Sequence, residues 1–216
     1  QLQLARAVAA HAVTENQTEA VAAWLDGSET LDGLVVDQDL RWELLIGLVA
    51  AGRAGETEIA AEESRDLTTT GRERAAQARA AVPTAEAKAA TWRELMENTS
   101  MPNETQVKTL RGFGDVERRP ELLAPFIAEY VREADAIWDT RTFHMAENLL
   151  TALWSTATVG LEGVDPVGAL EGWLASHADA PAAFRRIVAE NLDDTRRVVG
   201  AQACQAAAAN SDEEPR

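Results

Sequence analysis

The chain has 216 residues, of which 46% are apolar and 5% aromatic, and this length can bury the core of one domain or of two small ones. Its formal charge is −16, from 20 basic and 36 acidic residues, so we expect neither a nucleic-acid partner nor an anionic membrane partner. No apolar run reaches the roughly 18 residues of a membrane-spanning helix, and the single cysteine, Cys204, excludes an internal disulfide and fits a cytoplasmic location.

Residue usage along the chain predicts an all-α fold. Alanine dominates, valine and isoleucine are confined to short clusters, and no alternating strand pattern recurs. The opening "QLQLARAVAAHAV" is amphipathic and lacks an initiator methionine, so we expect a chain that is truncated at its N-terminal side.

The helical spacing of apolar residues predicts helices in chain order. They cover about residues 2–13, 17–26, 38–51, 56–65, 69–81 and 85–98, a stretch starting near Asn103, one starting at Pro120, and about 142–156, 166–177 and 181–207. Helix pairs therefore recur about every 30 to 35 residues, which is the range of stacked helical repeats. This predicts an α-α superhelix of stacked helical hairpins, similar to HEAT and armadillo proteins, with a compact bundle as the competing architecture.

Several predicted helices have recognisable starts. Asp37 or Asp39 is the predicted N-cap of the third helix, and Thr84 that of the sixth. Asn103 followed by Gln106 resembles a capping box. Pro120 is placed at the first position of its helix, which Pro125 should interrupt unless it lies in the first turn.

The third predicted helix, "QDLRWELLIGLVA", is apolar on nearly every side, so we expect it to be buried and Trp42 to be a core residue. Residues 1–207 are expected to form one helical-repeat domain. The remaining tail, residues 208–216, is polar and acidic and is predicted to be disordered.

Residues that could support chemistry are scattered. His11, His144 and His177 stand alone in their helices, and nothing matches HExxH; His144 and Glu147 share a helix face, a spacing that is common by chance. Cys204 has no histidine near it in sequence. We therefore expect no metal, no cofactor and no catalytic residue within this chain.

Residues 37–95 resemble the C-terminal helical (ERAP-like) domain of bacterial aminopeptidase N, a family of zinc metallo-aminopeptidases, in its actinobacterial type. The likeness is carried by residues 39–42, 52–58, 66–71 and 83–88 and by Trp92, and it continues through "GF" at 112–113, "ELLAPFIAEYV" at 121–131 and "IWDTRTF" at 137–143. These blocks occur in the order found in the family.

The resemblance implies that the chain is the non-catalytic part of a longer zinc-dependent aminopeptidase that removes N-terminal residues from peptides. It implies a zinc motif in a separate catalytic domain of the same polypeptide, over which the helical domain closes to control peptide access. The fragment alone should be inactive. Arg141 and Phe143 become the candidates for facing the peptide, although an ion pair within the domain is the simpler role for Arg141.

A second hypothesis is a stand-alone helical-repeat scaffold that binds proteins and shares only the architecture. The order of the matched blocks favours the aminopeptidase domain. The reading frame upstream of Gln1 separates the two hypotheses, since only the enzyme requires HExxH there.

Overall fold

The computed structural model describes residues 1–12, 14–116 and 119–212. Within these residues the chain forms eleven α-helices and two short 3-10 helices, with no β-strand. The all-α prediction is confirmed. In the same part of the chain, no helix is long and apolar enough to span a membrane.

The chain divides into two compact units, Gln1–Leu122 and Leu123–Arg216. The first contains α1 (Leu2–His11), α2 (Glu15–Asp26), α3 (Gln38–Ala50), α4 (Glu56–Arg65), α5 (Thr69–Ala81), α6 (Ala85–Glu97) and α7 (Asn103–Phe113). A 3-10 helix over Pro120–Leu123 leads to α8 (Ala124–Thr140), α9 (Phe143–Ala152), a second 3-10 helix (Thr156–Thr158), α10 (Pro166–Ser176) and α11 (Ala182–Asp212).

Most helix boundaries lie within a few residues of those predicted. The ninth helix ends at Ala152 rather than 156, because the chain there turns into the second 3-10 helix. The last helix continues to Asp212, and residues 213–216 lie outside the described part. The single domain over 1–207 and the disorder of 208–216 remain predictions.

Two of the predicted N-caps are present. Asp37 Oδ1 accepts a hydrogen bond from the Leu40 amide at 2.9 Å, and Thr84 Oγ1 accepts one from the Ala87 amide at 3.2 Å. Each oxygen satisfies an amide that lacks a partner within its helix.

The capping box predicted at Asn103 was wrong. Asn103 is already the first residue of α7, and Pro102 ahead of it is the N-cap, without a side-chain hydrogen bond. The Gln106 side chain is 2% exposed and lies in the interior instead of reaching back to the helix start.

The two prolines near the start of α8 have different roles. Pro120 begins the 3-10 helix, so it is not the first residue of an α-helix as predicted. Pro125 lies in the first turn of α8, where a missing amide hydrogen costs no helical bond, and α8 continues uninterrupted to Thr140.

The first unit consists of stacked helical hairpins, as predicted. The odd-numbered helices contact one another in succession, α1 with α3, α3 with α5, and α5 with α7. Each of α2, α4 and α6 contacts the odd-numbered helices before and after it. The odd-numbered helices therefore form one layer of the unit.

Two glycines allow the helices of this layer to approach closely. A Cβ atom on Gly47 of α3 would lie 2.2 Å from the carbonyl oxygen of Ala9 in α1. One on Gly112 of α7 would lie 2.1 Å from the carbonyl oxygen of Gln77 in α5. Both distances are far below van der Waals contact, so any larger residue would push the helices apart.

Polar bonds to α3 fix the position of α4 and of the turn that follows it. Arg41 donates from Nε and Nη2 to the two carboxylate oxygens of Glu62, at 2.8 and 2.7 Å. Gln38 donates to the same carboxylate at 2.9 Å. Trp42, fully buried, donates its Nε1–H to Asp66 Oδ2 at 2.9 Å. The residues of this hairpin that carry the family resemblance thus serve the fold.

In the second unit, α8 contacts α9 and α10, and each of these contacts α11. A polar cluster lies inside. The Tyr130 hydroxyl donates to the Leu150 carbonyl at 2.8 Å, and Asn191 Nδ2 donates to both of these oxygens. Trp154 packs edge-on against Tyr130 and donates to Thr195 Oγ1 at 2.9 Å. Burial raises the pKa of Tyr130, so this hydroxyl stays protonated.

We expect Trp42→Ala to destabilise the chain by about 3–5 kcal/mol, as large-to-small changes in cores do. The same truncation at the half-buried Trp24 is the control and should cost less. Urea unfolding of the three proteins measures the difference. An unchanged midpoint for Trp42→Ala would contradict a core role.

Acid should weaken the Arg41–Glu62 pair. Burial alone raises the pKa of Glu62, but hydrogen bonds from Arg41 and Gln38 outweigh it and hold the pKa below its ordinary value. The stabilisation is therefore fully present above the unfolded pKa of about 4.3 and is lost as pH falls through the folded value.

At pH 7 the Glu62→Gln variant should consequently be less stable than the wild type by about 1–3 kcal/mol, and this gap should narrow below about pH 4. Glu86→Gln, at an exposed site on α6, is the matched control. A gap that stays constant from pH 7 to pH 3 would refute the pKa argument.

Candidate functional site

The odd-numbered helices of the first unit line a cleft of about 430 Å³. Four charged side chains reach it, one from each helix: Arg6 of α1, Glu43 of α3, Arg74 of α5 and Arg111 of α7. Asp115, just beyond α7, also lines the cleft. Three guanidinium groups thus face two carboxylates, which leaves a local positive excess on a chain whose formal charge is −16.

Glu43 is the centre of this charge cluster. Its Oε2 lies 2.7 Å from Arg6 Nε, and its Oε1 lies 3.8 Å from Arg74 Nη2. Arg74 also donates a long hydrogen bond of 3.4 Å to Gln77. One carboxylate therefore faces two guanidinium groups, and it cannot neutralise both.

A buried lysine fixes the two helices that carry Arg74 and Arg111. Lys88 of α6 is 0% exposed, and its Nζ donates to the carbonyl oxygens of Ala80 at 2.7 Å, Gly112 at 3.0 Å and Phe113 at 2.9 Å. These carbonyls lie in the last turns of α5 and α7, where the regular helical hydrogen bonds run out, and that of Gly112 also accepts a long bond of 3.3 Å from the Asp115 amide. An ammonium has three N–H donors, so all three are used.

Burial lowers the pKa of Lys88 to about 8, while the negative charge of Asp115 acts in the opposite direction. The group remains mostly protonated at pH 7. Positive charge at a helix C-terminus is also favoured by the helix dipole. The ammonium is therefore a structural cation between α5, α6 and α7.

The two residues predicted to face a peptide lie in the second unit, beside the turn between α8 and α9. Arg141 directly follows α8 and is half-buried, and this burial lowers its pKa. Phe143 begins α9 and is 52% exposed. Its ring meets Trp138 edge-on, with the centroids 5.8 Å apart. The structure brings these two residues to one turn, but their role remains a prediction.

Phe143 is the first ring of an aromatic row, in which successive rings are in contact. The row runs through Phe143, Trp138, Phe184, Trp173 and His177. Trp138 and Phe184 stack 4.9 Å apart, and Trp173 and His177 stack 4.3 Å apart. His177 Nε2 lies 3.0 Å from Asp135 Oδ2. Packing between helices accounts for this row.

The three histidines do not assemble into a metal site. His11 is exposed at the end of α1 on the rim of the cleft, His144 is exposed on α9, and His177 belongs to the aromatic row. Throughout residues 1–12, 14–116 and 119–212, no group of three or more His, Cys, Asp or Glu side chains could hold a metal ion. Cys204 is exposed on α11.

Sequence reasoning missed the cleft, because its charges come from four different helices. One signal was available in α3. Glu43 stands between the buried Trp42 and Leu44, in a helix that is otherwise apolar from there to its end. A lone carboxylate in such a helix needs a cationic partner, and this requirement points to arginines on the neighbouring helices.

Known proteins resemble this chain along almost its whole length. A family model described as the ERAP1-like C-terminal domain matches residues 1–197. Aminopeptidase N of Streptomyces lividans is 42% identical over 209 residues, which are 97% of this chain and 24% of that protein. The chain thus spans about a quarter of the length of this relative.

Replacing Lys88 by methionine should remove one donor from each of three buried carbonyls, of which that of Gly112 keeps a long bond of 3.3 Å from the Asp115 amide. Each such group costs about 1–3 kcal/mol, and the loss is partly offset because an ammonium is no longer buried. We expect a net destabilisation of about 2–4 kcal/mol, measured by urea unfolding. The chain has one other lysine, the half-buried Lys108, and Lys108→Met is the matched control. Equal midpoints for the two variants would contradict the structural role of Lys88.

Proposed function

This chain belongs to the family of ERAP1-like C-terminal domains, and we propose that it is the non-catalytic helical domain of a zinc-dependent aminopeptidase N. In this proposal the domain closes over the active-site cavity of the parent enzyme and controls which peptides reach it for removal of their N-terminal residues. The observation that carries the proposal is the match of nearly the whole chain to about a quarter of an aminopeptidase N.

The proposed zinc belongs to the parent enzyme. His11, His144 and His177 do not fit a zinc site, so no step of the reaction is assigned to residues of this chain. When bound in the catalytic domain, zinc would polarise the peptide carbonyl and activate water. In this proposal, the helical domain instead binds the peptide, orients it and excludes water around the reaction.

The layered packing of the first unit supports this role. Its four odd-numbered helices each present a charged group at one cleft, and close helix crossings at Gly47 and Gly112 hold them in place. Helices held in this way can form a rigid wall of the active-site cavity. Excluding water beside a catalytic site strengthens the electrostatic interactions made there.

We propose that Arg141 and Phe143 face the peptide in the parent enzyme. Phe143 supports this assignment, because a phenylalanine with half of its surface exposed offers an apolar contact that its own unit leaves uncovered. The guanidinium of Arg141, two residues earlier in the chain, could pair with a peptide carboxylate.

The partners in this proposal are the peptide substrate and the catalytic domain of the same polypeptide. We also propose a cytoplasmic location, supported by the single cysteine, which forms no disulfide and is exposed to solvent. Neither nucleic acid nor a membrane surface is expected to bind, because of the net charge of −16.

The test uses the parent enzyme with and without residues 37–216. Deletion should leave the zinc content unchanged, should impair turnover of peptides, and should relax selectivity for peptide size, because the cavity is opened. The isolated chain should hydrolyse no amino-acid anilide, whereas the parent should do so and should lose activity on chelation. Retained zinc with unchanged turnover and unchanged size selectivity would rule out the capping role.

A point variant tests the peptide-facing pair within the same experiment. Phe143→Ala should raise KM for peptides and leave zinc content unchanged, while Leu67→Ala, at a leucine 78% exposed in the first unit, is the control. Equal kinetics for the two variants would remove Phe143 from the site. The hypothesis of a stand-alone scaffold predicts instead that the upstream reading frame lacks HExxH and that the protein has no peptidase activity at any length.

A further inference from the structure

The cleft on the odd-numbered helices has charge that its own side chains do not neutralise. Arg6, Arg74 and Arg111 line it, against the carboxylates of Glu43 and Asp115. Guanidinium groups in a partly enclosed cleft attract anions more strongly than groups in open solvent, because fewer waters screen them. The positive excess therefore favours a ligand that carries a carboxylate.

Arg74 is a largely buried guanidinium that makes only weak contacts. Its side chain is 15% exposed, yet the Glu43 oxygen with which it forms an ion pair is 3.8 Å away, longer than a hydrogen bond. Its Nε is buried and has no hydrogen-bond acceptor within the described residues. Arg41, an arginine of comparable burial, makes two bonds of 2.8 and 2.7 Å to one carboxylate. Arg74 lacks a partner of this quality.

Glu43 supplies the opposite charge in the same cleft. Its Oε2 lies 2.7 Å from Arg6 Nε, a close ion pair that lacks hydrogen-bond geometry, whereas the contact from Oε1 to Arg74 is 3.8 Å. A carboxylate oxygen has two lone-pair directions, so Oε1 keeps the capacity to accept a short bond from a cation. The cleft therefore holds a guanidinium that can bind an anion beside a carboxylate oxygen that can bind a cation.

The remaining wall is apolar. Ala10 of α1 and Ile46 and Gly47 of α3 line the cleft between the charged groups. The volume of about 430 Å³ lies in the range of small-molecule sites. A ligand that suits all three features carries a carboxylate, an ammonium and an apolar group close together.

We propose that this cleft binds a free α-amino acid. Its carboxylate pairs with Arg74 and Arg111, its ammonium pairs with Glu43 Oε1, and an apolar side chain contacts Ala10 and Ile46. The chemistry of the cleft alone carries this proposal. Its biological meaning rests on the proposed function, because a free amino acid is the product of an aminopeptidase, and the cleft would then sense that product.

Binding of L-leucine to the 216-residue chain, measured by calorimetry at pH 7, tests the proposal. We expect a Kd of about 1 mM or lower. Two derivatives of L-leucine separate the contributions of its two charged groups. N-acetyl-L-leucine keeps only the carboxylate, and L-leucinamide keeps only the ammonium. Each should bind at least about tenfold more weakly, since one charge-assisted pair is lost.

Arg111→Ala should weaken L-leucine binding by about tenfold or more. Arg111 is exposed, so its removal should leave the fold intact, which an unchanged urea midpoint checks. Arg93→Ala, at an exposed arginine of α6 outside the cleft, is the control and should bind as the wild type does.

Absence of L-leucine binding would overturn the proposal, as would equal binding of N-acetyl-L-leucine, which would make the cleft a site for carboxylates alone. Equal loss of affinity in Arg111→Ala and Arg93→Ala would also overturn it, because binding would then follow net charge. None of these readouts depends on peptidase activity, so failure of the capping role is distinguished from failure of this site.

Discussion

One buried ammonium group holds together the helices on which the cleft depends. Lys88 reaches from α6 to carbonyl oxygens in the last turns of both α5 and α7. It supplies a donor to three buried carbonyls at the place where Gly112 lets the two helices approach closely. The placement of Arg74 on α5 relative to Arg111 on α7 follows from this contact.

The residues that make the sequence recognisable are therefore mostly residues of the frame. Trp42 bonds to Asp66, Arg41 bonds to Glu62, and Lys88 bonds to helix ends. Each is a polar group at a buried or half-buried place, where losing the partner is costlier than losing an apolar contact. This explains why the hairpin at residues 37–66 carries no evident chemistry and yet has a specific sequence.

Local signals in the sequence were sufficient for the fold class and for several helix starts. Asp37 and Thr84 act on amides three residues away, and the apolar pattern of α3 places Trp42 in the core without reference to any other helix. The capping box predicted at Asn103 was wrong, because the preceding proline is the N-cap and no local signal shows which of the two residues takes that position. The partners of Lys88 and Glu43 are far along the chain and depend on which helices become neighbours. For the same reason the cleft could not be predicted, while Phe143 and Arg141 were reached through family likeness.

The aromatic row of the second unit has an optical consequence. Five rings, from α8, α9, α10, α11 and the residue that follows α10, touch in series, and two of the contacts are stacks with interplanar angles of 3° and 6°. Aromatic groups held in fixed, asymmetric surroundings generate the near-ultraviolet circular dichroism that disappears when side-chain packing loosens. The row should therefore contribute to the near-ultraviolet ellipticity of this unit, and displacement of any one of the four helices would change that spectrum while the helical backbone signal persisted.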